Sequence, residues 1–139
     1  MSLVSAMVLF FDKILLDDLF RYEGDDCHRA KVKIKYVLGV PGYTYIFFFR
    51  HASQAKNKFS RLFWSFFLHW TKFITHIQIP AGTKIGRGMR IVHFGHIVIN
   101  PKAQIGENFN ISQGCLVGNT QGKHEGVPVI GNNVYMSAH

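Results

Sequence analysis

Apolar residues along this chain follow two rhythms, and the change between them falls near residue 76. In MVLFFDKILLDDLFRY, Val8, Phe11, Leu15, Leu19 and Tyr22 recur near helical spacing, which predicts a helix with one apolar face. GVPG at 39–42 punctuates the chain. YTYIFFFRHASQAKNKFSRLFWSFFLHWTKFITH then supplies a second and a third aromatic-rich segment, interrupted by Arg50, Lys56, Lys58, Arg61 and Lys72 too often to span a bilayer. The expectation for residues 1–76 is a small helical region that packs its Phe and Trp side chains inward. An amphipathic surface resting on a membrane is the alternative.

From Ile77 onward glycine rises and the helical period disappears. Ile85, Ile91, Ile99, Ile105, Ile111 and Val117 recur at intervals of six, with one interval of eight. A six-residue unit suits a short strand plus a turn, with the aliphatic side chain pointing inward. Three such units close one coil of a prism, and successive coils stack at the inter-strand distance of about 4.8 Å. Residues 77–139 therefore predict a parallel β-helix, with a protruding loop at about 119–129 where NTQGKHEGVP breaks the repeat. Ala103 and Cys115 fit crowded inner corners. The chain stops at VIGNNVYMSAH, early in a hexad starting at Met136, which predicts about three coils, a shortened prism and an uncovered strand edge.

Composition adds less. A 139-residue chain with 47% hydrophobic and 17% charged residues can build a core. Cys27 and Cys115 match no metal or redox spacing, and HFGH at 93–96 lacks further ligands, so no metal is expected. Asp12, Asp17 and Asp18 follow the first apolar run too soon for a secretory signal, giving a cytoplasmic expectation with membrane adjacency left open. The formal charge of +8 admits nucleic acid, anionic lipid or phosphorylated small molecules as partners. No nucleic-acid-binding signature is present, and nucleic acid is not expected.

The pattern IPAGTKIGRGMRIVHFGHIVIN…AQIGENFNISQGCLVGNTQGK…VPVIGNNVY resembles the hexapeptide-repeat acyltransferases, and among them the serine acetyltransferases and their relatives in polysaccharide gene clusters. The resemblance implies left-handed coils, a homotrimer, and acetyl-CoA as acyl donor to a hydroxylated acceptor, serine or a sugar. It places His93 as the catalytic base and Gln78 where the family carries an aspartate that orients that histidine. Gly118, Asn119 and Ala138 fall at cofactor-contacting positions. His96, Lys123 and His124 are candidates for the acceptor side. Val92 replaces a substrate-contacting aspartate, and Gly126 and Val127 replace an Arg-His pair that holds an amino acid. Three readings result: a serine O-acetyltransferase, a saccharide O-acetyltransferase, and a binding module without catalysis.

Overall fold

The computed structural model describes residues 9–122 and 125–138. Among the described residues four helices of ten residues or more precede a coil of short strands. Helix α1 (Lys13–Glu23) starts where the Asp12 side chain accepts the Leu15 N–H, and stops at Gly24, whose positive φ of 60° suits glycine. A 3₁₀ turn (Gly24–His28) leads into α2 (Ala30–Gly39). Pro41 occupies the first position of α3 (Pro41–Gln54), where a missing N–H costs nothing, so GVPG separates two helices as expected. Helix α4 (Lys58–Thr75) is capped by Asn57 and ends at His76 in the left-handed region.

Nine short strands follow: β1 (Ile77–Gln78), β2 (Lys84–Ile85), β3 (Arg90–Ile91), β4 (Ile97–Ile99), β5 (Gln104–Ile105), β6 (Asn110–Ile111), β7 (Leu116–Val117), β8 (Val129–Ile130) and β9 (Tyr135–Met136). They pair in parallel as three sheets, β1-β4-β7, β2-β5-β8 and β3-β6-β9, which are the three sides of a prism three coils tall. This is the fold class expected: a helical region followed by a β-helix of hexapeptide repeats. The strand register shows where the repeat stretches. Val98 pairs with Leu116, a step of 18, whereas Ile77 pairs with Ile97 and Gln104 with Val129, steps of 20 and 25. The two extra residues of the first coil lie in the turn between Ile91 and Ile97, which accounts for the single interval of eight. The seven extra residues of the third coil form the loop before β8, pinned by an antiparallel bridge between Thr120 and Gly126.

The hexad aliphatics Ile85, Ile91, Ile99, Ile105, Ile111 and Val117 all point inward, with Ala103, Phe109 and Cys115 filling corners. Tyr45, Ile46 and Phe49 from α3 join the same core, so helices and prism share it. The first coil has no coil beneath it, and the helices supply its hydrogen bonds side by side. Beside β1, the Tyr45 hydroxyl donates to the Ile79 carbonyl at 3.0 Å and accepts the Ile79 N–H at 2.9 Å. At β2, Arg50 donates to the carbonyls of Ile85 and Gly86, each at 2.7 Å. Its remaining N–H groups grip Asp18 of α1 at 2.7 and 3.0 Å, and Asp18 also accepts the Met89 N–H at 2.8 Å. At β3, the Tyr22 hydroxyl donates to the Ile91 carbonyl at 2.9 Å and accepts its N–H at 2.8 Å. Burial pushes the Asp18 carboxyl upward, while the Arg50 guanidinium and the Met89 N–H pull against it.

One expectation needs correction. The aromatic side chains of α3 do pack inward, as Tyr43, Tyr45, Phe47 and Phe49 are buried. Those of α4 divide: Trp64 and Phe67 lean on α3, but Phe59, Phe63, Phe66, Trp70 and Phe73 face outward. Helix α4 has room for only one inward face. Its aromatic residues cover more than half its circumference.

Candidate active site

His93 stands on the lengthened turn between β3 and β4. The turn opens because Gly95 adopts φ 113° and His96 φ 51°, conformations that lift the chain out of the hexad beat. His93 is exposed there and lines a recess of about 290 Å³ with Gly39, Gly42, Val92 and Phe94. The floor of the recess is the α2–α3 junction, held close because a Cβ on Gly42 would come within 3.0 Å of the Ile91 side chain. Among the described residues no carboxylate lines it. His96, on the same turn, stacks against His76 at the end of α4, with ring centroids 5.4 Å apart and planes 15° from parallel.

Gln78 faces outward from β1 and lies elsewhere. It lines a groove of about 350 Å³ along the β1-β4-β7 side with Val98, Leu116, Gly118 and Asn119. Three of the sequence-derived positions, Gln78, Gly118 and Asn119, therefore meet on one surface. His93 and Gln78 line separate depressions, and no hydrogen bond joins them among the described residues. Asn119 is steadied by Asn100, whose Nδ2 donates to its Oδ1 at 3.4 Å. Beyond Asn119 the base of the loop encloses a wider hollow of about 580 Å³ that includes Lys102, Gln121 and Gly126. Asn100 and Lys102 were not singled out from the sequence. The available signal was their position between the inward Ile99 and Ala103, where a hexad turns and exposes polar side chains.

Ala138 is exposed beyond β9, next to the Ser137 carbonyl that accepts the Cys115 thiol at 3.3 Å. Lys123 and His124 lie outside the described residues, as does Val8. Among the described residues no group of three or more His, Cys, Asp or Glu side chains could hold a metal ion.

No family model matches the chain. A serine acetyltransferase from Helicobacter pylori is 42% identical over 69 residues, covering 48% of this chain and 40% of that protein. A serine acetyltransferase from Staphylococcus xylosus is 43% identical over 70 residues, covering 49% of this chain and 32% of that protein. Solved serine acetyltransferase structures repeat the architecture: that from Vibrio cholerae aligns over 97% of this chain and 50% of its own, with a TM-score of 0.68 at 22% identity. A serine acetyltransferase complex with CoA aligns over 73% of this chain and 43% of its own, with a TM-score of 0.55 at 19% identity. At those identities the structures establish the fold of helices followed by coils. The chain spans less than half the length of the Helicobacter pylori protein and about half that of the Vibrio cholerae structure.

Proposed function

We propose that this chain carries the catalytic face of an acetyl-CoA-dependent O-acetyltransferase, with His93 as the general base. The observation that carries the reading is the lengthened turn after β3, which holds the exposed His93 imidazole at a recess. The 42% identity to a serine acetyltransferase supports the same reaction class. The His93 imidazole takes the proton of the acceptor hydroxyl as its oxygen attacks the thioester carbonyl carbon. The tetrahedral oxyanion is stabilised by backbone N–H groups, then collapses with cleavage of the C–S bond. The imidazolium returns its proton to the leaving thiolate, giving an acetyl ester and free CoA.

The donor fits the groove along β1-β4-β7. Val98 and Leu116 offer apolar walls for a pantetheine arm, Gly118 exposes backbone, and Lys102 supplies a cation for phosphate at the far end. A homotrimer, with each donor groove completed by a neighbouring prism, is part of the proposal.

The acceptor is serine or a saccharide. The absence of a carboxylate around His93, with Val92 on the same turn, favours the saccharide, because a serine ammonium group would find no counter-charge in this recess. Thiol release from acetyl-CoA, followed with serine and with a sugar panel, tests both levels. His93→Ala is expected to lower turnover by about 10²–10⁴-fold. Turnover with serine alone overturns the saccharide reading. Folded protein that releases no thiol with any acceptor overturns the enzymatic one.

A further inference from the structure

Helix α4 presents outward the residues a soluble protein normally hides. Phe59, Phe66, Trp70 and Phe73 are 81%, 64%, 61% and 57% exposed, and Phe63 and Ile74 complete one continuous stripe. Their spacing keeps all six on one face along the 18-residue helix, about 27 Å of apolar ridge. The opposite face, Leu68, Thr71 and Thr75, is buried against the rest of the molecule, so the ridge cannot turn inward. A patch this long on a soluble surface marks a docking site.

The charge around the ridge selects what docks. Lys58 borders the ridge, about 60° round the helix from Phe73, with Lys56 just before the helix, and Lys72 and Arg61 lie further round, about 100–120° from Phe73. Residues 27–106 contain no Asp or Glu at all, and they hold 13 of the chain's 16 Lys and Arg residues. A second copy meeting this face would bring aromatic bulk against aromatic bulk and cation against cation. Helix pairing prefers Leu, Ile or Val at the seam and opposite charges beside it. Nucleic acid would satisfy the cations but not the Phe and Ile ridge. An interfacial helix combines these two features: Phe, Trp and Leu reach into the acyl boundary while Lys and Arg meet anionic headgroups. No helix among the described residues is long and apolar enough to cross a membrane.

From this pairing of an unburied aromatic ridge with an acid-free basic flank, we infer that α4 seats the protein on an anionic bilayer surface. The helix lies parallel to the membrane with Phe66 and Trp70 lowermost. The depression bearing His93 belongs to the turn after β3, off the α4 ridge, so docking leaves it open.

The test is co-sedimentation of the full chain with vesicles of phosphatidylglycerol mixed equally with phosphatidylcholine, against phosphatidylcholine alone. The expected result is pelleting with the anionic vesicles only, weakening as salt is raised. Phe66→Glu/Trp70→Glu is expected to weaken partitioning by about tenfold or more. Lys56→Glu/Lys58→Glu is expected to weaken it by about fivefold or more per residue changed. All four positions are exposed, so unchanged far-ultraviolet circular dichroism certifies the fold. Tryptophan emission should shift to shorter wavelength on adding anionic vesicles, and Trp70→Phe should bind but lose most of that shift. Three outcomes overturn the inference: no pelleting with anionic vesicles, equal pelleting with neutral ones, or pelleting indifferent to Phe66→Glu/Trp70→Glu. Self-association abolished by those same substitutions, without vesicle binding, would assign the ridge to a second copy.

Discussion

His51 lies flat on Trp64, with ring centroids 4.2 Å apart, and its Nε2 has no hydrogen-bond partner among the described residues. Burial holds this imidazole below its ordinary value of 6.5. The unfolded chain therefore binds a proton more readily than the folded one, and stability falls as pH drops through that ordinary value. Thermal melting between about pH 8 and about pH 5 should show this slope, with His51→Phe flattening it. A second residue-scale expectation concerns Arg50. Arg50→Leu strands the Asp18 carboxylate and the Ile85 and Gly86 carbonyls, and should cost about 3–5 kcal/mol in a urea titration. The sequence made the inward Ile residues legible because each repeats a neighbour's environment six positions on. Arg50 was legible only as a charge interrupting an apolar run, since its partners lie 32 to 36 residues away and two of them are backbone carbonyls. His93 was legible from the family resemblance. Its recess was not, because the α2–α3 junction that floors it is remote in sequence.

At the level of elements, close stacking of coils decides which substitutions are tolerated. A Cβ on Gly86 would stand 2.7 Å from the Gly106 backbone in the coil above, where nothing can yield cheaply. A Cβ on Gly82 meets nothing within 4 Å. Gly86→Ala should therefore destabilise by about 1–3 kcal/mol, and Gly82→Ala should be nearly neutral, as measured by the same titration. Both glycines look alike in the sequence, and only the stacking separates them. The stretched turns behave similarly. The interval of eight announced that residues had been added after β3, but the direction in which they carry His93 depends on Gly95 and His96 adopting positive φ. Helix α4 shows the opposite limit: its apolar period predicted a helix correctly, while the side chosen for burial was set by α3 and the prism.

Taken whole, the molecule is a prism standing on a helical base, and polar side chains of the base (Tyr45, Arg50 with Asp18, and Tyr22) fasten each of its three sides. Burial pushes the Tyr45 phenol up to about 12, so it stays neutral and keeps both its donated and accepted hydrogen bonds. Tyr45→Phe leaves the buried N–H and carbonyl of Ile79 without this partner, and should cost about 1–3 kcal/mol. A chain lacking residues 1–76 would expose all three lower strand edges at once, and is expected to aggregate in lipid-free buffer, seen as light scattering, more readily than the full chain. The same fastening gives the stack a polarity. The lower rims at Ile79, Ile85 and Ile91 are saturated, whereas β7, β8 and β9 each have a described neighbour on one side only. As an assembly of repeating layers, it has its foundation at one end: a duplicated layer inserted between two coils would meet matching partners, and one inserted between α4 and β1 would sever the foundation.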